Sequence, residues 1–365
     1  MEKVSALADT MAQAASEFLA ALSPEQRSAG TFPFGDEEER RRWFYTPTPR
    51  AGLRLGDLAP RQQQKVWQLM ATGLSERGYN YASLLTGMEN VVDRSSNFPD
   101  RTYGDLPGTR LRDPANYFVA VFGTPGDESG WSWRIGGHHL SLHYTVRGGL
   151  VYPTPAFFGA EPARSLLPGG VGLRPLAAEE DAARELLALL SPEQLSRAVI
   201  APVPPTDIVQ TNRPQVEDGA MPPIGGPGPG GERLRTALGL TPELDDMVRY
   251  TLTPKGLPAS AMDAAQRDAL ARLVRVYLDH LPDEIVDGYA PLLEPDSLQE
   301  LHFAWAGSSE REAPHYYRVQ SDDLLVEYDC TQNDANHTHS VLRNPRGDFG
   351  TDPLALHYAE SHHHP

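Results

Sequence analysis

The chain has 365 residues, a formal net charge of −17 and 40% hydrophobic residues, enough apolar material for one large domain or two of ordinary size. The acidic balance excludes a nucleic-acid surface, which needs a basic stripe. A single cysteine, Cys330, excludes an internal disulfide and a zinc ribbon, and it fits a reducing compartment.

Glu2, Asp9 and Glu17 interrupt the apolar residues of the N-terminus, so it does not read as a secretory leader. No stretch approaches the ~20 apolar residues of a membrane span. The expectation is a soluble, cytoplasmic, bacterial-type protein with a small-molecule substrate and neither nucleic acid nor membrane as partner. The closing Ser361-His362-His363-His364-Pro365 receives no role.

Helical spacing of Leu7, Met11, Ala14, Phe18, Leu19 and Leu22 predicts a helix over 6–22. Ser23-Pro24-Glu25-Gln26 follows, a serine N-cap with proline at the first helical position. Residues 32–49 read as extended, and the charge run Glu37–Arg42 within them as a solvated helix end. Helices are expected over 58–74 and 79–92, then a loop over 95–114. Strand patterns follow at 117–122, 131–135, 140–146 and 150–152, with Arg147-Gly148-Gly149 as a hairpin turn. Residues 153–172 read as loop, and a helix returns over 179–190.

That helix ends in Ser191-Pro192-Glu193-Gln194, a second copy of Ser23–Gln26. The search this prompts finds two more blocks in the same order. The helix with Gln62, Val66, Leu69 and Leu74 matches Gln266, Leu270, Leu273 and Leu278. The strand block places Ala120 on Ala304, Gly123 on Gly307, Glu128 on Glu312, Arg134 on Arg318, Leu140 on Leu324 and Tyr144 on Tyr328. The second copy gains a Pro/Gly-rich insertion over 202–231 and lacks the 95–114 loop. The expected architecture is α+β: two tandem pseudo-repeats, 1–178 and 179–365, each a helical segment followed by an antiparallel meander. They are expected to form one compact unit about a pseudo-twofold axis.

Read as one strand, Leu140, Leu142 and Tyr144 share a face, and His139, Ser141, His143 and Thr145 share the other. The second copy repeats the apolar face as Leu324, Val326 and Tyr328 and places Asp323, Leu325, Glu327 and Asp329 opposite. Farther on, His337 and His339 are two apart and project to one side of a strand, an arrangement for two ligands of one metal, with Gln332 and Asn336 near enough to orient them. The expected metal ligands are His139, His337, His339 and Glu327; Glu327 and His138 are the candidate catalytic residues. Iron would suit oxygen-dependent oxidation, and zinc hydrolysis by a metal-bound water.

Plain alternatives stand beside these. A His-x-His pair is usually two polar strand residues, and Glu327 and Asp329 could be solvated or paired with Arg318 or Arg343. Arg134 and Arg318 read as hairpin braces. Trp131, Trp133, Tyr316 and Tyr317 read as core or pocket wall, and His315 as structural. Asn212–Gly231 is too Pro/Gly-rich for a core element. Cys330 beside Asp329 would have a raised pKa and make a poor nucleophile.

Gly137-His138-His139-Leu140-Ser141-Leu142, Phe122-Gly123-Thr124-Pro125, Tyr317-Arg318-Val319-Gln320, Asn336-His337-Thr338-His339-Ser340-Val341 and Asp348-Phe349-Gly350 together resemble the bacterial domain-of-unknown-function family 3500, over nearly the whole chain. The resemblance implies no activity. It implies that His138, His139, His337 and His339 are recurrent positions, and that His143, where many members are expected to carry asparagine, is not a ligand. A divalent-metal enzyme and a non-catalytic small-molecule-binding or interaction protein with a His-lined pocket both remain open.

Overall fold

The computed structural model describes residues 2–222 and 239–351. The rest of the Pro/Gly-rich insertion and the C-terminal histidine run lie outside the described residues. Contacts divide the chain into two units: Met1–Phe158 with Leu278–Tyr289 and Arg343–Pro365, and Gly159–Tyr277 with Ala290–Leu342. The chain is mixed α+β, as the segregation of helical and strand periodicities predicts. No helix among the described residues is long and apolar enough to cross a membrane.

In the first unit, α1 (Glu2–Ala20) buries Met11, Ala15 and Phe18 and packs on α4 (Pro60–Gly73), which buries Val66, Leu69 and Met70. Between them α2 (Pro24–Gly30) starts from a full capping box: Gln26 N–H donates to Ser23 Oγ, and Ser23 N–H to Gln26 Oε1. Such a cap contributes about 1 kcal/mol. Gln62 of α4 ties this corner down, its amide nitrogen 2.9 Å from Ala21 O and 2.8 Å from Gln26 Oε1. α3 (Glu37–Arg41) and α5 (Glu76–Ser95) complete the main helices.

The strands β1 (Thr31–Phe32), β3 (Phe118–Phe122), β4 (Trp131–Gly137) and β5 (Leu140–Arg147) lie side by side in that order. β1 runs parallel to β3, and the remaining neighbours are antiparallel. β2 (Leu53–Arg54) also pairs with β3, and β6 (Leu150–Tyr152) and β7 (Ala156–Ala160) pair with β5. Trp133 and Tyr144 stack across β4 and β5 at 4.5 Å, and the Tyr144 hydroxyl donates to Gly73 O of α4. One aromatic pair thus seats the helices on the sheet.

In the second unit α6 (Ala177–Leu189) leads to α7 (Pro192–Ala198), whose Ser191/Gln194 box is complete. Gln266, from the Ala264–Leu278 helix, reaches Leu189 O and Gln194 Oε1, each at 2.8 Å. β8 (Ser165–Leu166) pairs antiparallel with β9 (Gly172–Leu173). β10 (Val199–Ala201) runs parallel to β12 (His302–Gly307), and β11 (Leu257–Pro258) runs antiparallel to it. β13 (His315–Gln320), β14 (Leu325–Gln332) and β15 (His337–Arg343) continue the order from β12. Rings stack through this sheet: Trp305 on His315 at 5.1 Å, His315 on Tyr328 at 5.6 Å, and Tyr328 on Tyr317 at 5.1 Å. Tyr317 donates to Glu179 O.

Four expectations are corrected. Residues 153–172 are not all loop: Ala156–Ala160 is a fully buried strand, too short and too closely flanked by Pro153, Pro155 and Pro162 to show a pattern. The charge run 37–42 is not simply solvated, since Arg40 is buried and donates to Phe349 O at 2.7 Å while Glu37 neutralises it. The stretch 136–145 is not one strand but a hairpin. Its two-residue turn is His138-His139, with Gly137 opposite Leu140 and His139 in the left-handed region at φ 63°. The stretch 212–231 is not all outside the core, because Ala220 packs with Val209, Val248, Tyr250, Ala306 and Tyr316.

Burial of His315, together with nearby Arg184, outweighs the hydrogen bond to Ala313 O and the pull of Glu180, and holds its pKa down at about 4. Between that value and the ordinary ~6.5 the unfolded chain binds more protons than the folded one. The stabilising contribution is therefore present above pH ~6.5 and is lost as pH falls toward ~4, at on the order of 1 kcal/mol per pH unit. Urea unfolding between those limits is expected to show a shallower loss in His315→Phe than in the unaltered chain. Equal slopes would remove His315 as the source.

Candidate metal centre

The first unit gathers one group of possible ligands. Glu89, His138 and His139 are all buried, with one ligand atom of each within 4.8 Å of the others. Glu89 comes from the middle of α5, and the histidines form the β4–β5 turn. The imidazoles stack at 3.6 Å. His138 Nδ1 lies 2.5 Å from Glu89 Oε1, and Arg112 Nη1 lies 2.9 Å from His138 Nε2. Arg112 Nη1 also lies 2.8 Å from His138 Nδ1, so the ring is held between the Glu89 carboxylate and the Arg112 guanidinium. The Tyr117 hydroxyl donates to His138 O, and His139 N–H donates to Tyr45 O. A β-carbon on Gly137 would sit 2.5 Å from the Tyr117 ring, so glycine is needed there.

The second unit gathers Asp207, Asp329 and His339, again with ligand atoms within 4.8 Å. His339 Nδ1 faces both carboxylates, 2.9 Å from Asp207 Oδ1 and 3.3 Å from Asp329 Oδ1. Ile208 N–H donates to Asp207 Oδ1, and Thr331 Oγ1 donates to Asp329 Oδ2. Burial pulls the His339 pKa down, but the two carboxylates overcome it and raise it to about 10. Burial raises Asp329, and the imidazolium opposes that rise. The His337 ring lies edge-on to His339 at 4.6 Å, as expected for alternate residues of one strand.

His139 thus stands in the first unit, and His337 and His339 in the second. Glu327 belongs to no such group among the described residues. It is wholly buried and accepts from Val209 N–H (2.6 Å), Gln210 N–H (3.1 Å) and the Tyr316 hydroxyl (2.7 Å). Its carboxylate pins the insertion to the sheet. Burial raises its pKa, and those donors and Arg318 oppose the rise. Gln332 and Asn336 hold backbone, at Thr206 O and Arg164 N–H. His143 is buried, kept neutral by burial and by surrounding arginines, and bonded to Ser141 at 3.0 Å.

Asp207, Glu89 and Arg112 were not singled out from sequence. Asp207 had a faint signal, an acid closing the Pro-rich Pro202–Thr206 run. Glu89 had one too, an acid within the expected apolar helix.

Net charge separates the two groups as cation sites. Glu89 is matched by Arg112 across His138. Around His339, two carboxylates face one imidazole, leaving a negative excess that favours a cation. A carboxylate on Nδ1 also fixes the ring so that Nε2 points the other way, as in many metal-bound histidines.

A mixed α+β fold with buried histidine–carboxylate groups is the class so defined. The chain belongs to the family described as "Protein of unknown function (DUF3500)", whose model matches residues 5–351. No curated protein and no solved structure matches it.

Cys330 is buried, and its thiol donates to Ala335 O at 3.1 Å. Burial, then Asp329, pushes its pKa up to about 12. A thiol-specific reagent near pH ~8 is expected to leave the folded protein unlabelled and to label one thiol after denaturation. Rapid labelling of the folded chain would contradict this.

Proposed function

We propose that this protein is a metal-dependent enzyme acting on a small molecule, with a divalent ion, iron or zinc, on the His337/His339 pair. The observation that carries the reading is His339 itself, a buried imidazole held through Nδ1 by Asp207 and Asp329, beside a second imidazole two residues away. Water, substrate or a further side chain would fill the remaining positions. Iron there would support oxygen-dependent oxidation, and zinc would lower the pKa of a bound water for hydrolysis. Asp207 and Asp329 supply the carboxylates beside this pair, where Glu327 was the expected ligand.

Elemental analysis of the full chain, expressed without an added tag or metal, tests this. About one ion per chain is expected, lost in His337→Ala/His339→Ala. That variant keeps His362–His364, so metal held only by the tail would survive in it. Sub-stoichiometric metal unchanged in the variant would sink the proposal. A visible or EPR signal would then separate iron from zinc.

A second reading rests on the same residues. With its pKa at about 10, His339 pairs with the two carboxylates as an imidazolium, and that pair needs no metal. The protein would then bind a small molecule without catalysing a reaction.

We also infer that residues 1–178 and 179–365 are tandem repeats. The Ser23/Gln26/Gln62 corner has its likeness in Ser191/Gln194/Gln266, down to the carbonyls of Ala21 and Leu189. Thr31 pairs with Val121 and Leu53 with Val119; Val199 pairs with Trp305 and Leu257 with Phe303. Gly52 (φ 114°) and Gly256 (φ 97°) press against Val119 O and Phe303 O, where a β-carbon would come within 2.5 and 2.3 Å. Gly52→Ala and Gly256→Ala are each expected to destabilise by roughly 2 kcal/mol or more. Chemical denaturation measures this, and a neutral result at either position would argue against equivalence.

A further inference from the structure

We propose that a cleft in the first unit, between residues 39–51 and β4, binds a phosphoryl group, as free phosphate or as the head of a small phosphate ester, with Arg42 and Arg50 as its donors. This reading is independent of the metal. The cleft has a volume of about 230 Å³, and Glu39, Arg42, Phe44, Pro49, Arg50 and Arg134 stand on its walls. The Arg42 side chain is 59% exposed, so the cleft is open to solvent. Three guanidiniums face one carboxylate, leaving two positive charges in excess. That is a local reversal in a chain of net charge −17, and a cleft of one sign concentrates ions of the other.

The arginines are held in place by backbone rather than by counter-charge. Arg134, which is buried, donates from Nη1 to Glu39 O and Arg42 O, each at 2.7 Å, and from Nη2 to Ala51 O at 3.1 Å and to Glu39 Oε1. Arg50 bonds only carbonyls: Nε to Thr48 O, Nη1 to Phe44 O and Gly137 O, and Nη2 to Thr46 O. Glu39 is already shared, with Oε1 on Arg134 and Oε2 3.6 Å from Arg42. Burial lowers the Arg50 pKa, and Arg134 lowers it further against the pull of Tyr103. Burial also lowers Arg134, where Glu39 opposes the fall and Arg42 adds to it. Like charges are thus crowded around the cleft, and an anion within it would relieve them.

The remaining donors indicate what kind of anion fits. The Arg42 guanidinium makes no hydrogen bond among the described residues; Glu39 at 3.6 Å is its ion-pair partner. Arg50 Nη2 carries two N–H groups, and Thr46 O takes one of them at 2.8 Å in an exposed bond. Both guanidiniums lie over the Phe44 ring, 5.5 Å (Arg42) and 5.9 Å (Arg50) from its centroid, which keeps them near one another. Donors from two side chains suit a tetrahedral group with three acceptor oxygens and nearly two negative charges better than a planar carboxylate, which pairs best with one guanidinium fork. The cavity is smaller than the ~300 Å³ at which drug-sized sites begin, so any ester is small. Phe44 and Pro49 provide an apolar wall for its carbon atoms.

The test is calorimetric titration of the full chain, stripped of metal by a chelator, with inorganic phosphate, glycerol 3-phosphate and succinate against chloride at equal ionic strength. A phosphate ligand is expected to bind saturably, one per chain, and at least about tenfold more weakly to Arg42→Gln. Arg42 is exposed and its guanidinium bonds no other group, so this variant keeps the fold. Crystals of the unaltered chain soaked in phosphate should show its oxygens about 2.7–2.9 Å from Arg42 and from Arg50 Nη2. Tighter binding of the ester than of phosphate would assign the apolar wall to its carbon atoms, and equal binding would identify free phosphate as sufficient; both support the proposal. No saturable binding, unchanged affinity in Arg42→Gln, or a preference for succinate over both phosphates would overturn it. Because metal is removed first, failure here leaves the His337/His339 reading untouched.

Discussion

An imidazole taken out of water keeps a proton only where negative charge faces it, and this requirement sorts the buried histidines of the chain. His339, between Asp207 and Asp329, is pushed toward the charged form. His143, among arginines, and His315, between aromatic rings, are pushed toward the neutral one. The arrangement around His339 asks most of the fold. Asp207 comes from a Pro-rich connection, Asp329 from β14, and His339 from β15. Removing either carboxylate would leave the other elements around a poorly compensated charge.

The same logic bears on Glu327, a buried acid that Arg318 favours by its field but does not bond among the described residues. Two backbone N–H groups and a tyrosine hydroxyl satisfy its oxygens instead. Those N–H groups belong to Val209 and Gln210, within the insertion of the second half. A residue first read as a ligand thereby serves as the attachment point for the segment that delivers Asp207.

Much of this was legible in sequence where the signal is local. Serine before Pro-Glu-Gln marked two helix starts, and strand alternation marked β3 to β6. The pair His337 and His339 was legible because period-two spacing places both on one side of a strand. The strand face expected for His139 was corrected to a turn, because alternation cannot distinguish a continuous strand from a hairpin whose turn residues are polar. Asp207 and Glu89 could not be found in that way. Their partners lie at sequence separations of 132 for His339–Asp207 and 49 for His138–Glu89, and no periodicity encodes such encounters.

The two helix corners built on glutamine pairs share one more property. Gln26 with Gln62, and Gln194 with Gln266, join amide to amide and amide to carbonyl, and neither pair contains a titratable group. Elsewhere the chain leans on arginine–carboxylate contacts, which salt screens at the surface and acid weakens. The glutamine corners respond to neither. As the medium becomes more acidic or more saline, these helix–helix joints are positioned to outlast the ionic contacts around them.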